Sequence, residues 1–191
     1  LMAYVLQANY AFFPMTGAVG ELAWNSSNDF ILIAAPMFIM MGELMHRSGM
    51  SERLFSALSP WFARVPGRLI HTNIAASAIF AATSGSSVAT AATIGTVAIP
   101  NMDKGGYNRP LFLGSIAAGG TLGILIPPSI NMIIYAVLTD TSVADLYAAG
   151  FIPGFLLAGL FSLMVLGLVL YRPEWAGPKV DSADLWRQRV S

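Results

Sequence analysis

The sequence contains no cysteine, which excludes disulfides, thiolate-bound metals and a cysteine nucleophile in one step. Charge is scarce as well. Only 10% of residues are Asp, Glu, Lys or Arg, against roughly a quarter in an ordinary soluble domain. Ten basic residues balance ten acidic ones and form no run, so nothing tracks a phosphate backbone and no nucleic-acid partner is expected. The two histidines, His46 and His71, lack a cluster of acidic neighbours. No transition-metal site and no organic cofactor are expected.

What is present is apolar. Hydrophobic residues make up 55% of the chain and the mean hydropathy is +0.65, which describes an integral membrane protein. Residues 1–28 do not follow the basic, apolar, small-residue order of a signal peptide. The chain opens on Leu1, and it is read as a piece of a longer protein.

Three segments are long and apolar enough to cross roughly 30 Å of hydrocarbon. They are 29–45 (DFILIAAPMFIMMGELM), 111–139 and 151–171 (FIPGFLLAGLFSLMVLGLVLY). Between the first two, Ser51 to Arg64 places Leu54, Phe55, Leu58, Trp61 and Phe62 on one face, the pattern of a helix lying at the interface, with Pro60 interrupting it. The stretches 69–83 and 88–100 are apolar but too short to cross, and they flank Ser84-Gly85-Ser86-Ser87. A re-entrant helical hairpin accounts for both.

The placement of charge tests this topology. If 69–100 enters and leaves on one face while the other three segments each cross once, all ten basic residues fall on one side, from Arg47 and Arg53 to Arg187 and Arg189. The opposite side receives Glu21, Asp140 and Asp145 but no cation. If 69–100 crossed once, Lys104, Arg109 and the tail cations would change sides, against the excess of Lys and Arg on cytoplasmic loops. The hairpin arrangement is preferred, with the basic face cytoplasmic.

Two elements then break at membrane depth. At the hairpin tip, one helix leaves orphan carbonyls near Thr83 and the next leaves orphan N–H groups near Ser87. Ser84, Ser86 and Ser87 can cap them, and Gly85 permits the tight turn. Within 111–139 stands Thr121-Leu-Gly-Ile-Leu-Ile-Pro-Pro-Ser-Ile-Asn131. Each proline removes a backbone donor and costs roughly 3 kcal/mol in a helix interior. One half-helix is expected to end around Gly123 and a second to begin around Ser129, with Pro128 in its first turn. The freed carbonyls suit a hard cation, the positive start of the second half-helix suits an anion, and Asn131 adds an amide. The plainer readings are a turn of small residues that only packs and a proline kink that is locally accommodated. Two breaks in succession favour a binding site, as in secondary transporters. Glu43, a few residues before Arg47, reads as an interfacial ion pair. His71 reads as interfacial.

Several motifs, in order, carry a family resemblance. They are Pro-Met-Phe-Ile and Gly-Glu-Leu-Met within 30–45, Ser48-Gly-Met-Ser-Glu-Arg-Leu54, FAATSGSSVAT over 80–90, Ile99-Pro-Asn-Met-Asp-Lys-Gly-Gly-Tyr107, Gly120-Thr-Leu-Gly-Ile-Leu-Ile-Pro-Pro-Ser129 and Ala149-Gly-Phe-Ile-Pro-Gly154. Over roughly residues 29–170 the chain closely resembles the large permease subunit of tripartite ATP-independent periplasmic (TRAP) transporters, the DctM-like family. The resemblance implies an all-α fold, one inverted repeat of an elevator-type importer, and no enzyme. It implies sodium coupling, an organic anion of the carboxylate type as substrate, and two protein partners: a small membrane subunit and a soluble periplasmic binding protein. In that picture 1–28 is an extracytoplasmic segment with the remnant of an earlier helix, and 29–68 is scaffold. Residues 69–139 form the transport unit (hairpin 69–100, broken helix 111–139), 140–171 a short connection and a crossing helix, and 172–191 a cytoplasmic tail. Sodium would be held by Ser84, Gly85, Ser86 and Ser87 with backbone oxygens of Gly120 and Gly123. The anion would face Ser87, Thr90, Pro128, Ser129 and Asn131.

A stand-alone sodium/dicarboxylate-type transporter shares this architecture and needs no binding protein. An intramembrane serine hydrolase using Ser86 or Ser87 with His71 as base meets a geometric objection. His71 lies about 13 residues before the tip, roughly 20 Å along a helix.

Overall fold

The structure, a computed structural model, describes residues 12–28 and 30–177. Leu1 to Ala11, Asp29 and the tail cations Lys179, Arg187 and Arg189 lie outside the described residues. The described residues are helical with no strand. The helices are α1 (Phe12–Ser27), α2 (Ala34–Arg47, entered through a 3-10 turn, Phe30–Ile33), α3 (Met50–Phe62), α4 (Leu69–Ser84), α5 (Ser87–Lys104), α6 (Arg109–Leu125), α7 (Ile130–Thr139) and α8 (Val143–Tyr171). Among the described residues, three helical stretches are long and apolar enough to cross a membrane: Phe30–Arg47, Arg109–Thr139 and Val143–Tyr171. This is an all-α integral membrane fold.

Several boundaries differ from those expected. Helix α3 continues through Pro60 and ends two residues later at Phe62; the proline's missing N–H leaves the Ser56 carbonyl without its ladder donor. Helix α5 passes Pro100 and ends at Lys104, where Asn101 Nδ2 donates to Val97 O at 2.9 Å. Helix α8 starts eight residues before 151, because Ser142 caps it by accepting from Asp145 N at 3.4 Å.

Helices α4, α5 and α6 form the densest part. Ile70, Ile74 and Phe80 of α4 are fully enclosed with Ile94 of α5 and Phe112 and Leu122 of α6. By contrast α8 exposes Ile152 (78%), Phe155, Leu156, Leu160 and Leu163. An apolar surface of this extent belongs against lipid or a protein partner.

The chain reverses between α4 and α5, so the hairpin's open end gathers at one end of the molecule. Tyr107, just after α5, is buried and shares a hydrogen bond with the Leu69 backbone. Its ring also lies against Gly177, beyond α8. Burial pushes the Tyr107 phenol above its usual range, although the Leu69 bond and Arg68 oppose this. The phenol therefore stays neutral at physiological pH.

Candidate functional site

The hairpin tip is two residues long. Gly85 takes left-handed geometry (φ 61°) and closes α4 through its N–H to Ala81 O; a side chain there would be strained. Ser86 is extended and caps α5, its Oγ accepting from Ala89 N at 3.4 Å. A small polar knot locks the tip. Thr90 Oγ1 donates to Ser86 O at 2.7 Å and lies 2.9 Å from Ser84 Oγ. Ser84 and Thr90 are both buried.

Beside the tip, α6 stops at Leu125 and Ile126 is extended. The last ladder bond runs from Ile126 N to Leu122 O at 2.8 Å. The next two donors would come from residues 127 and 128, and both are proline. The carbonyls of Gly123 and Ile124 therefore have no donor of their own ladder. Helix α7 begins only at Ile130, with Ser129 as its extended N-cap. Pro128 thus precedes the helix rather than occupying its first turn, because Ser129 takes the cap position. Gly120 lies inside α6 rather than near its end, so the ladder engages its carbonyl. Its contribution is packing, since a Cβ there would come within 2.7 Å of the Ala91 methyl.

The two breaks touch. Ile130 N, an orphan donor at the start of α7, donates across the gap to Gly85 O at 3.2 Å. A Cβ on Gly85 would lie 2.8 Å from Pro128 O. A Cβ on Gly123 would lie 2.6 Å from Ser86 O and 2.8 Å from Ser87 N. Neither position admits a side chain without movement, so backbone meets backbone. Ser129 is fully buried and its Oγ has no partner among the described residues. Ser87 is half-buried beside this contact, while Asn131 is exposed on the first turn of α7.

The arrangement therefore concentrates oxygen donors and helix ends in one place. Free carbonyls at the end of α6, the Ser84 and Thr90 hydroxyls and the Ser86 carbonyl are the hard oxygens an alkali cation takes. The N-termini of α5 and α7 turn positive partial charge to the same region. Of the residues expected at a site, Ser84, Gly85, Ser86, Ser87, Thr90, Gly123, Pro128 and Ser129 are brought together.

Other contacts were less legible. Gly42 of α2 is buried, and a Cβ there would meet Ser84 at 3.4 Å. His46 Nδ1 lies 3.1 Å from Thr93 Oγ1 of α5. Within the α4–α6 pair, Asn73 Nδ2 donates to Ser115 Oγ at 2.9 Å, and Gly119 packs on Ser77. Polar residues in apolar helices were the available signal. Glu43 and Arg47 form an exposed pair at 2.6 Å. His71 is buried within the fold; its Nε2 donates to Pro66 O at 2.9 Å, and its ring stacks on Phe62. It lies almost a helix length from Ser86, with no route to a catalytic pairing.

The family profile described as the tripartite ATP-independent periplasmic transporter, DctM component, matches residues 1–188. The chain is 40% identical over 146 residues to the C4-dicarboxylate TRAP large permease DctM of Pseudomonas aeruginosa, covering 76% of this chain and 34% of that protein. It is 39% identical over 155 residues to the sialic acid TRAP permease SiaT of Haemophilus influenzae, covering 78% and 25%. To the ectoine large permease TeaC of Halomonas elongata it is 31% identical over 186 residues, covering 94% and 43%. The chain thus spans well under half the length of these curated relatives. With the motif order and the double helix break, these matches show that the chain belongs to the DctM family of TRAP transporter large permeases, which are transporters rather than enzymes.

Proposed function

We propose that this chain is the first part of the large membrane subunit of a sodium-coupled importer of organic anions, in which the hairpin tip and the broken helix form one ion and substrate site. The carrying observation is the Ile130 N to Gly85 O bond at 3.2 Å together with Gly123 seated on Ser86 and Ser87. Sodium is bound by the Ser84, Ser86 and Ser87 region of the tip and by the carbonyl of Gly123. The anion faces Ser87, Thr90 and the start of α7 at Pro128 and Ser129, with Asn131 supplying an amide. Helices α4 to α7 move as one body against α2, α3 and α8, and residues 69–104 enter and leave the bacterial inner membrane on its cytoplasmic side. The basic residues Arg68, Lys104, Arg109 and Arg172 at the hairpin's open end support that orientation. A periplasmic binding protein delivers the solute and a small membrane subunit accompanies the permease. The relatives named for C4-dicarboxylate, sialic acid and ectoine favour a carboxylate-bearing solute.

Uptake by the full-length parent with its binding protein, in proteoliposomes, tests this reading. Succinate, sialic acid and ectoine serve as solutes, with sodium or potassium outside. Accumulation of at least one solute in sodium, but not in potassium, is expected, and slower in Ser87→Ala. Equal uptake in both salts contradicts the coupling.

A further inference from the structure

A second polar chamber lies at the other end of α5, separate from the knot of Ser84, Ser86 and Thr90. It is a cavity of about 520 Å³ between the end of α2, the start of α3 and the last turns of α5, lined by His46, Ser51, Glu52, Thr96, Asn101 and Lys104 among others. That volume suits a small solute. One wall is the N-terminus of α3. Its N-cap, Gly49, has no side chain to receive the free amides. Met50 N reaches Ser48 Oγ at 3.4 Å, which leaves the amides of Ser51 and Glu52 as the donors of that turn. The amides and the helix dipole favour an anion there.

Ser51 gives an independent indication. The residue is 3% exposed, lines the chamber, and its Oγ has no partner among the described residues. Leaving a buried hydroxyl unpaired is unfavourable, and an anionic oxygen would satisfy it. Lys104 of α5 and His46 of α2 line the same chamber, and His46 Nδ1 is engaged with Thr93 Oγ1 at 3.1 Å. Glu52 adds one carboxylate against these groups, so an anion is held without being trapped. Thr90, Thr93, Val97, Asn101 and Lys104 recur at three- and four-residue spacing. One face of α5 therefore runs from the tip to the chamber.

The geometry points to a second anion station here: the α3 N-terminus, Ser51 and Lys104 bind the carboxylate of the transported solute on its way from the tip to the cytoplasm. The assignment rests on the transport reading above. The test uses the full-length parent, carrying Ser56→Cys at the chamber's exposed rim with any reactive cysteine elsewhere in the parent replaced. In inverted membrane vesicles, the rate at which an impermeant anionic thiosulfonate modifies that cysteine is measured with succinate, sialic acid, ectoine or inorganic phosphate. At a concentration about four times its dissociation constant, one of the three carboxylates is expected to slow modification about fivefold. Ser51→Val and Lys104→Gln are expected to abolish the slowing, read for each variant as the ratio of its own rates with and without the carboxylate. No slowing by any carboxylate, slowing that survives both substitutions, or slowing by phosphate alone would overturn the proposal. Sodium-independent uptake with intact protection would count against the coupling and not against this station.

Discussion

Helix α8 and the α6–α7 pair both carry proline within a long apolar run, yet only one of them breaks. Pro153 sits inside α8, which continues from Val143 to Tyr171; Pro127 and Pro128 separate α6 from α7. A single proline removes one ladder bond, and the turns on either side hold the helix together. Two adjacent prolines remove consecutive donors and force Ile126 into extended geometry. The second difference is what stands opposite. Gly85 O receives the Ile130 amide, and Gly150 and Gly154 of α8 leave room for Leu125 and Ile126, with a Cβ on Gly154 reaching 2.8 Å from Ile126. The break is therefore sustained by neighbours shaped for it, while α8 is the continuous wall.

This contrast can be broken most strongly at Gly123. Gly123→Leu drives a side chain into the Ser86 carbonyl, and overpacking of about 3 kcal/mol predicts sodium-driven uptake falling by about 100-fold. Purified full-length parent should also melt at a lower temperature. Gly85→Ala adds both left-handed strain and a clash with Pro128 O. A cost of about 1–3 kcal/mol is expected in thermal stability, with the apparent sodium affinity falling in uptake assays. Thr90→Val keeps the volume but removes the two hydroxyl contacts of the tip. A loss of about 1–2 kcal/mol is expected, read as a several-fold rise in the sodium concentration for half-maximal uptake. The control side of the comparison is Pro153→Ala, for which a change within about 0.5 kcal/mol and near-normal uptake are expected. A large loss there would mean that α8 is no passive wall.

The helices, the short hairpin and the proline break were legible in the sequence because each rests on a local rule: span length, capping and the missing proline donor. The tip's serines and glycine were legible for the same reason. What was not legible depends on registration between helices. Gly120 looked like a helix-end carbonyl but lies a turn too early, and its value is the space it leaves for Ala91. Pro128 looked like a helix start, yet Ser129 holds the cap. The Gly85 to Ile130 bond joins residues 45 positions apart, so no local pattern encodes it. Ser51 gave no signal, because its isolation comes from how α2, α3 and α5 meet.

In the proposed mechanism, tip and break form one sodium-responsive unit. Hydrogen exchange by mass spectrometry on the full-length parent, in sodium and in potassium, tests it most directly, using peptides that cover 80–90 and 122–133. Sodium is expected to slow exchange in both segments together, with little change over 155–170 of α8. Sodium protection confined to one segment, or absent from both, would contradict it.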